Sequence, residues 1–372
     1  MRRTRVVSAT AATAALVAGL VTSSGTAYAH DNGATQQRAA RPLPAHVFAP
    51  YFEAYQESDS PAAFAEASGA KYLTMAFLQA PSVGSCDITW NGDMAVSAAN
   101  YGGDIAKIRA MGGDVIPSFG GYSADDTGTE IADSCSKVEK IAAAYEKVVT
   151  TYGVTRLDMD VEDNSLTNPA GIDRRNKAIA LVERWAEQTH RTVQFVYTLP
   201  TNVSGLDDEP GGGGVYVLTN ALQNHARVDI VNIMTFDYYD GNTHEMAADT
   251  KTAAGHLVDT LHALYPHESR HALWHKVGIT EMIGRDDYGS DPADDTGPKE
   301  IFTIDDAHAI ASWAKHEGIA ELSFWALQRD QESSSDCTVG TFGGDTCSGI
   351  PQQTWEFSHI MEPFTSSRDR HR

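Results

Sequence analysis

Apolar residues recur along the chain in two alternating styles. Short runs lie at 47–52, 72–78, 115–121, 157–162, 193–199, 230–238, 277–283 and 322–327. Between them come longer stretches whose apolar positions are spaced by three and four, clearest at 137–152 and 172–188, then at 248–264 and 304–316. Strands alternating with helices predict βαβ units around a parallel sheet, an α/β fold. Eight such units predict a closed (β/α)8 TIM barrel. The competing arrangement, an open doubly wound sheet, usually has a Gly-rich phosphate loop after its first strand. Ala49-Pro50-Tyr51-Phe52 is no such loop, and the glycines at 211–214 read as a flexible connection.

One run breaks the usual pattern. In Arg156-Leu157-Asp158-Met159-Asp160-Val161-Glu162 a carboxylate stands at every second position. A strand alternates its side chains, so Asp158, Asp160 and Glu162 share one face and Leu157, Met159 and Val161 the other. Both faces read as buried, with the apolar side against helices and the acids inward. Acids spaced about 6–7 Å apart on one buried face resist ionising together. At least one is expected to keep its proton above the ordinary carboxyl range, as a general acid requires. Taken alone, the same pattern also suits a metal cage or a solvated acidic strand.

In a barrel, chemistry gathers at the C-terminal ends of the strands. Those ends here carry Tyr51 and Glu53, Phe77 and Gln79, Ser118 to Gly121, the three acids, Tyr197, Met234 to Tyr239, Glu281, and Trp325 to Gln328. Aromatic faces can stack on sugar rings, while carboxylates and amides bond hydroxyls. The rim therefore has the composition of a carbohydrate cleft.

Composition and charge narrow the setting. Arg2, Arg3 and Arg5 precede an apolar run at 6–21, and Ala27-Tyr28-Ala29 has the small-x-small form of a cleavage site. Residues 1–29 are expected to be a secretory signal peptide, 30–44 a flexible lead-in, 45–364 the catalytic domain and 365–372 a polar tail. The Arg2-Arg3 pair points weakly to twin-arginine export. Removing the peptide leaves 25 basic residues against 50 acidic ones. That balance argues against nucleic acid and anionic membranes as partners, and no later run is long and apolar enough to span a bilayer. A secreted, extracellular monomer is expected. The four cysteines admit three disulfide connectivities. Cys86–Cys135 and Cys337–Cys347 close the shortest loops and are the expected pairs. The 14 histidines are scattered, and no Cys or His spacing suggests zinc.

With these residues in view, the chain resembles glycoside hydrolase family 18, over about residues 44–364. Ser118-Phe119-Gly120-Gly121 is similar to the family's S-x-G-G, and Asp158 to Glu162 to the end of its D-x-x-D-x-D-x-E. Met234-Thr235-Phe236-Asp237 is similar to its M-x-Y-D, and Trp325 to the tryptophan that floors the sugar subsite. The stretches 48–55, 71–79, 161–179, 234–240 and 322–330 resemble a secreted bacterial chitinase branch. Two positions depart from the pattern: Thr155 replaces the first acid, and Phe236 replaces a tyrosine that holds the substrate's N-acetyl oxygen. Tyr238 and Tyr197 are the candidates to supply that hydroxyl, unless the bond is simply absent.

The resemblance implies hydrolysis of chitin or N-acetylglucosamine oligosaccharides, with retention and without metal or organic cofactor. Glu162 would be the acid and base, and Asp160 and Asp158 its catalytic partners. Tyr51, Ser118, Gly120, Gly121, Tyr197, Met234, Asp237, Tyr238, Glu281, Trp325 and Gln328 would bind substrate. Residues 284–302 are too few for the subdomain of deep-cleft members, so an open groove and endo-type cleavage are expected; with only a short polar tail after Phe364, no chitin-binding module is expected, and crystalline chitin should be a poorer substrate than soluble oligomers. The alternatives are an endo-β-N-acetylglucosaminidase acting on N-glycans, a non-catalytic carbohydrate-binding barrel, and a metal-dependent barrel hydrolase.

Overall fold

The computed structural model describes residues 42–56, 59–287, 300–334, 337–340 and 344–365. The expected signal peptide, most of the lead-in and nearly all of the polar tail lie outside the described residues, as does 288–299 after the seventh barrel strand. No helix among the described residues is long and apolar enough to cross a membrane.

The strands are β1 (Val47–Phe48), β2 (Tyr51–Glu53), β3 (Tyr72–Gln79), β4 (Thr89–Trp90), β5 (Met94–Ala95), β6 (Asp114–Gly120) and β7 (Arg156–Asp160). They continue with β8 (Gln194–Pro200), β9 (Ile230–Met234), β10 (Val277–Met282), β11 (Gly284–Arg285), β12 (Ile301–Phe302) and β13 (Glu321–Trp325). All eight expected strands are present, and the sheet runs β1-β13-β10-β9-β8-β7-β6-β3 through parallel pairs. The first barrel strand comes in two pieces because Pro50, between them, has no N–H to give a ladder. β1 pairs with β13 and β2 with β3, and Ala49 N–H bonds Leu322 O while Thr74 N–H bonds Pro50 O. The seam of the ring lies there. Five strands end earlier than their apolar runs, the sixth and the fourth among them. The sixth stops at Met234 because Asp237 and Tyr239 take φ of 52°, and the fourth stops at Asp160, two residues short of Glu162.

Helices cover the outside. Val138–Tyr152 buries Ile141, Tyr145, Val148 and Tyr152 on one stripe and stops at Gly153. Pro169–Gln188 starts at an Asn168 cap, and Ile304–Glu317 starts in a Thr303/Asp306 capping box. The large apolar core lies between these helices and the outward strand residues, Leu157, Met159 and Val161 among them. The interior of the ring is packed separately, by Val47, Ala49 and Ile116 and by Val196, Ile230 and Ala320. Arg156 and Glu321 meet there at 2.8 Å, both buried. Both expected disulfides, Cys86–Cys135 and Cys337–Cys347, are formed.

Candidate active site

The inward face of β7 builds the site from the bottom up. Asp158 is buried, and three hydroxyls converge on it. Tyr51 and Ser118 donate to Oδ2 at 3.0 and 2.6 Å, and Thr198 donates to Oδ1 at 2.6 Å. Parallel pairing puts them there, since Ser118 of β6 and Val196 of β8 are the register partners of Asp158. Burial pushes this carboxyl up to about 6, against the pull of those donors. Asp160, two residues on, is pushed well above the ordinary range by burial, then by the charges of Glu162, Asp158 and Asp125. Its Oδ1 has no hydrogen-bond partner among the described residues. Glu162 lies past the strand end and is half-buried in the groove wall. Burial raises it to about 7, against the pull of the backbone N–H of Tyr122.

Above the acids runs a groove of about 590 Å³. Trp325 lies flat against Phe77, with ring centroids 5.6 Å apart and planes within 11°, and Tyr51 tilts against both. Two glycines let the chain cross this rim. Gly120 stands at φ 97°, and a Cβ on it would come within 2.0 Å of Asp160 O; one on Gly121, at φ 83°, would strike the Phe77 ring at 2.6 Å. Any side chain at either position would displace the strand end or the aromatic wall.

Of the residues expected to bind substrate, Tyr51, Gly120, Met234, Asp237 and Trp325 line the groove. Ser118 acts one layer below, on Asp158, and the N–H of Gly121 bonds Asp160 O at 3.3 Å. Four others stand elsewhere. Tyr197 points out of the barrel and donates to Asn176 Oδ1 at 3.1 Å, because strand alternation gives the inward places to Val196 and Thr198. Glu281 is turned outward in the same way, between the groove-lining Thr280 and Met282, and accepts the Thr250 hydroxyl at 2.8 Å. Gln328 falls in the turn after β13 and clips Glu53, accepting its N–H at 3.1 Å and donating to its carbonyl at 3.2 Å. Tyr238 lies behind the wall with its ring on His244 at 4.6 Å. Neither Tyr197 nor Tyr238 therefore offers a hydroxyl to the groove beside Phe236. The tyrosine of that loop that does face the groove is Tyr239, which is 59% exposed.

Thr198, Tyr55, Asn91, Tyr122 and Tyr239 belong to the site without being among the residues expected to bind substrate. Parity could have found Thr198, a hydroxyl on the inward face of the strand next to Asp158. Tyr55, Asn91 and Tyr239 stand on rim loops and Tyr122 opens a short helix, where no periodicity marks them.

Asp237, Asp286 and Asp287 are the described residues that could hold a cation, with carboxylate oxygens within 4.8 Å of one another. Burial and the adjoining Asp286 lift Asp237 to about 10, and the Asp237 N–H donates to Asp286 Oδ2 at 3.2 Å.

A barrel with three carboxylates rising along its fourth strand into an aromatic-walled rim groove is the architecture of a sugar-cleaving enzyme. Residues 47–330 match the model of the glycosyl hydrolases family 18, and the chain belongs to that family. Among solved structures it is similar to the catalytic domain of a hyperthermophilic chitinase from Pyrococcus furiosus, at 28% identity and a TM-score of 0.72. That match covers 88% of this chain and 97% of the other. A probable bifunctional chitinase/lysozyme from Escherichia coli K12 is 28% identical over 348 residues, which is 89% of this chain and 36% of that protein. Endochitinase 11 from Metarhizium anisopliae is 28% identical over 320 residues, 82% of this chain and 56% of its own length. The chain thus spans about a third to about half of these two longer relatives.

Proposed function

We propose that the chain is an endo-acting chitinase that hydrolyses β-1,4-linked N-acetylglucosamine polymers with retention, using the substrate's own acetamido group. The observation that carries this is the order of acids along β7. Asp158 is saturated by hydroxyls, Asp160 keeps an oxygen without a hydrogen-bond partner among the described residues, and Glu162 stands at the groove with a proton affinity near neutral pH. Family membership and relatives named as chitinases support the same reading.

Glu162 gives its proton to the glycosidic oxygen as the bond to the anomeric carbon breaks. The acetamido carbonyl oxygen bonds to that carbon, forming an oxazolinium ion, so no enzymic nucleophile is required. Asp160 accepts the acetamido N–H and balances the positive charge, and Asp158 lies next to it to share a proton. Water then attacks the anomeric carbon from the vacated side while Glu162 takes a proton back. Trp325 and Phe77 form the apolar floor under the sugar. Export through the leader at 1–29 and action as a monomer belong to the same proposal.

The test is product analysis on N-acetylglucosamine hexamer, with an N-glycosylated protein beside it. Internal cleavage that falls about 10²–10⁴-fold or more in Glu162→Gln and survives EDTA is the expected result. Release of N-glycans with an intact hexamer would move the reading to a glycan endoglycosidase. Loss on EDTA with recovery on Mg²⁺ would move it to a metal site at Asp237, Asp286 and Asp287.

A further inference from the structure

The chain leaves the sheet at the acid itself. The last ladder bond on this side runs from Val161 N–H to Thr198 O at 3.0 Å. One residue further, Glu162 is past the end of β7, and Asp163 turns the chain away at φ 38°. An amide at such a place loses its sheet acceptor, and a buried amide left without one destabilises the fold. Asp125 supplies the acceptor, its Oδ2 taking the N–H of Glu162 at 2.5 Å.

Asp125 is fully buried and belongs to the short helix Tyr122–Thr127. The first residue of that helix, Tyr122, turns its backbone N–H toward the Glu162 carboxylate, which counters the rise caused by burial. The same helix therefore holds the main chain of Glu162 through Asp125 and lies beside its carboxylate through Tyr122. The helix is in turn pinned to the strand end, by Gly121 N–H on Asp160 O and by the close approach at Gly120. Beyond it, Arg175 acts on Asp125 and pairs with Glu130 at 2.9 Å, anchoring the far side in the fold. Asp125 is not among the residues that line the groove.

We propose that Asp125 is a positioning residue for Glu162: by accepting its amide it fixes where the acid stands and leaves sugar binding to the groove. The inference rests on Glu162 being the acid. Small displacements of a catalytic group cost rate far more than they cost binding.

The test measures kcat and KM on the soluble hexamer for Asp125→Ala, Asp125→Asn and Glu162→Gln, with thermal unfolding of each. Asp125→Ala is expected to lower kcat about 10- to 100-fold while KM stays within about twofold. Asp125→Asn keeps a side-chain carbonyl oxygen at the same place and is expected to recover most of the lost kcat. Parental kcat in Asp125→Ala would overturn the proposal, and so would an asparagine variant as slow as the alanine one. Should Asp125→Ala fail to fold, Asp125→Glu takes its place. That variant keeps a carboxylate but moves the acceptor by one methylene, and parental kcat there would also overturn the proposal. Glu162→Gln separates the two levels. If it is inactive while the Asp125 variants turn over normally, only the positioning role fails; if it turns over normally, the assignment of the acid fails first.

Discussion

Buried carboxylates at the floor of the barrel and at its rim live in opposite surroundings. At the floor, Glu321 faces Arg156 at 2.8 Å, a charge with its counter-charge. At the rim, Asp160 keeps an oxygen without a partner among the described residues, and no lysine, arginine or histidine is among the groove's described lining residues. Proton affinity does not separate the two places, since burial lifts Glu321 and Glu162 alike to about 7. Glu281, turned away from the groove, reaches about 8. A raised pKa thus marks burial; a missing counter-charge beside an open groove marks chemistry.

The strongest way to break this comparison is to take the counter-charge from the floor. Arg156→Met leaves Glu321 buried and alone, and is expected to cost about 3–5 kcal/mol in urea unfolding, most of it regained by adding Glu321→Leu. A single variant as stable as the parent would mean that the floor pair is not what holds that end.

Glu281 sharpens the contrast between burial and function. Its folded pKa is raised from 4.5 to about 8, so the folded state binds the proton more tightly. The stability this contributes is complete below pH 4.5 and is lost as pH rises through about 8. Glu281→Gln is expected to flatten the decline in unfolding free energy, read by urea titration between pH 5 and pH 8, by about 3–4 kcal/mol, with kcat/KM on the hexamer unchanged. A loss of activity would put Glu281 back in the site.

The smallest effect is at Tyr197. Removing its hydroxyl with Tyr197→Phe breaks the bond to Asn176, for about 1 kcal/mol of stability in the same urea titration. Turnover is expected to stay at the parental level.

The same two residues show how far the sequence could be read. Alternation along 156–162 placed Asp158, Asp160 and Glu162 on one face, and the structure keeps them there. Position at a strand end was the criterion for Tyr197 and Glu281, yet alternation turns both outward, while their neighbours Thr198, Thr280 and Met282 face in. Gln328 lies in a turn, where no period operates. Asp125 and Tyr239 belong to rim segments fixed by contacts distant in sequence, such as the amide of Glu162, which local pattern does not record. The eight strands were legible because each repeats one simple unit. The early end of the sixth strand was not, since it depends on left-handed residues that apolar character does not reveal.

The two-piece first strand has a consequence for assembly. Val47 and Phe48 find their partners only at Glu321 and Leu322, so the ring is sealed by pairing the two ends of the domain. Until the last strand is made, β10 presents an open edge able to pair with another chain. So distant a contact makes closure a slow, late event in folding. A chain cut before residue 321 would have all the acids and no finished barrel to hold them.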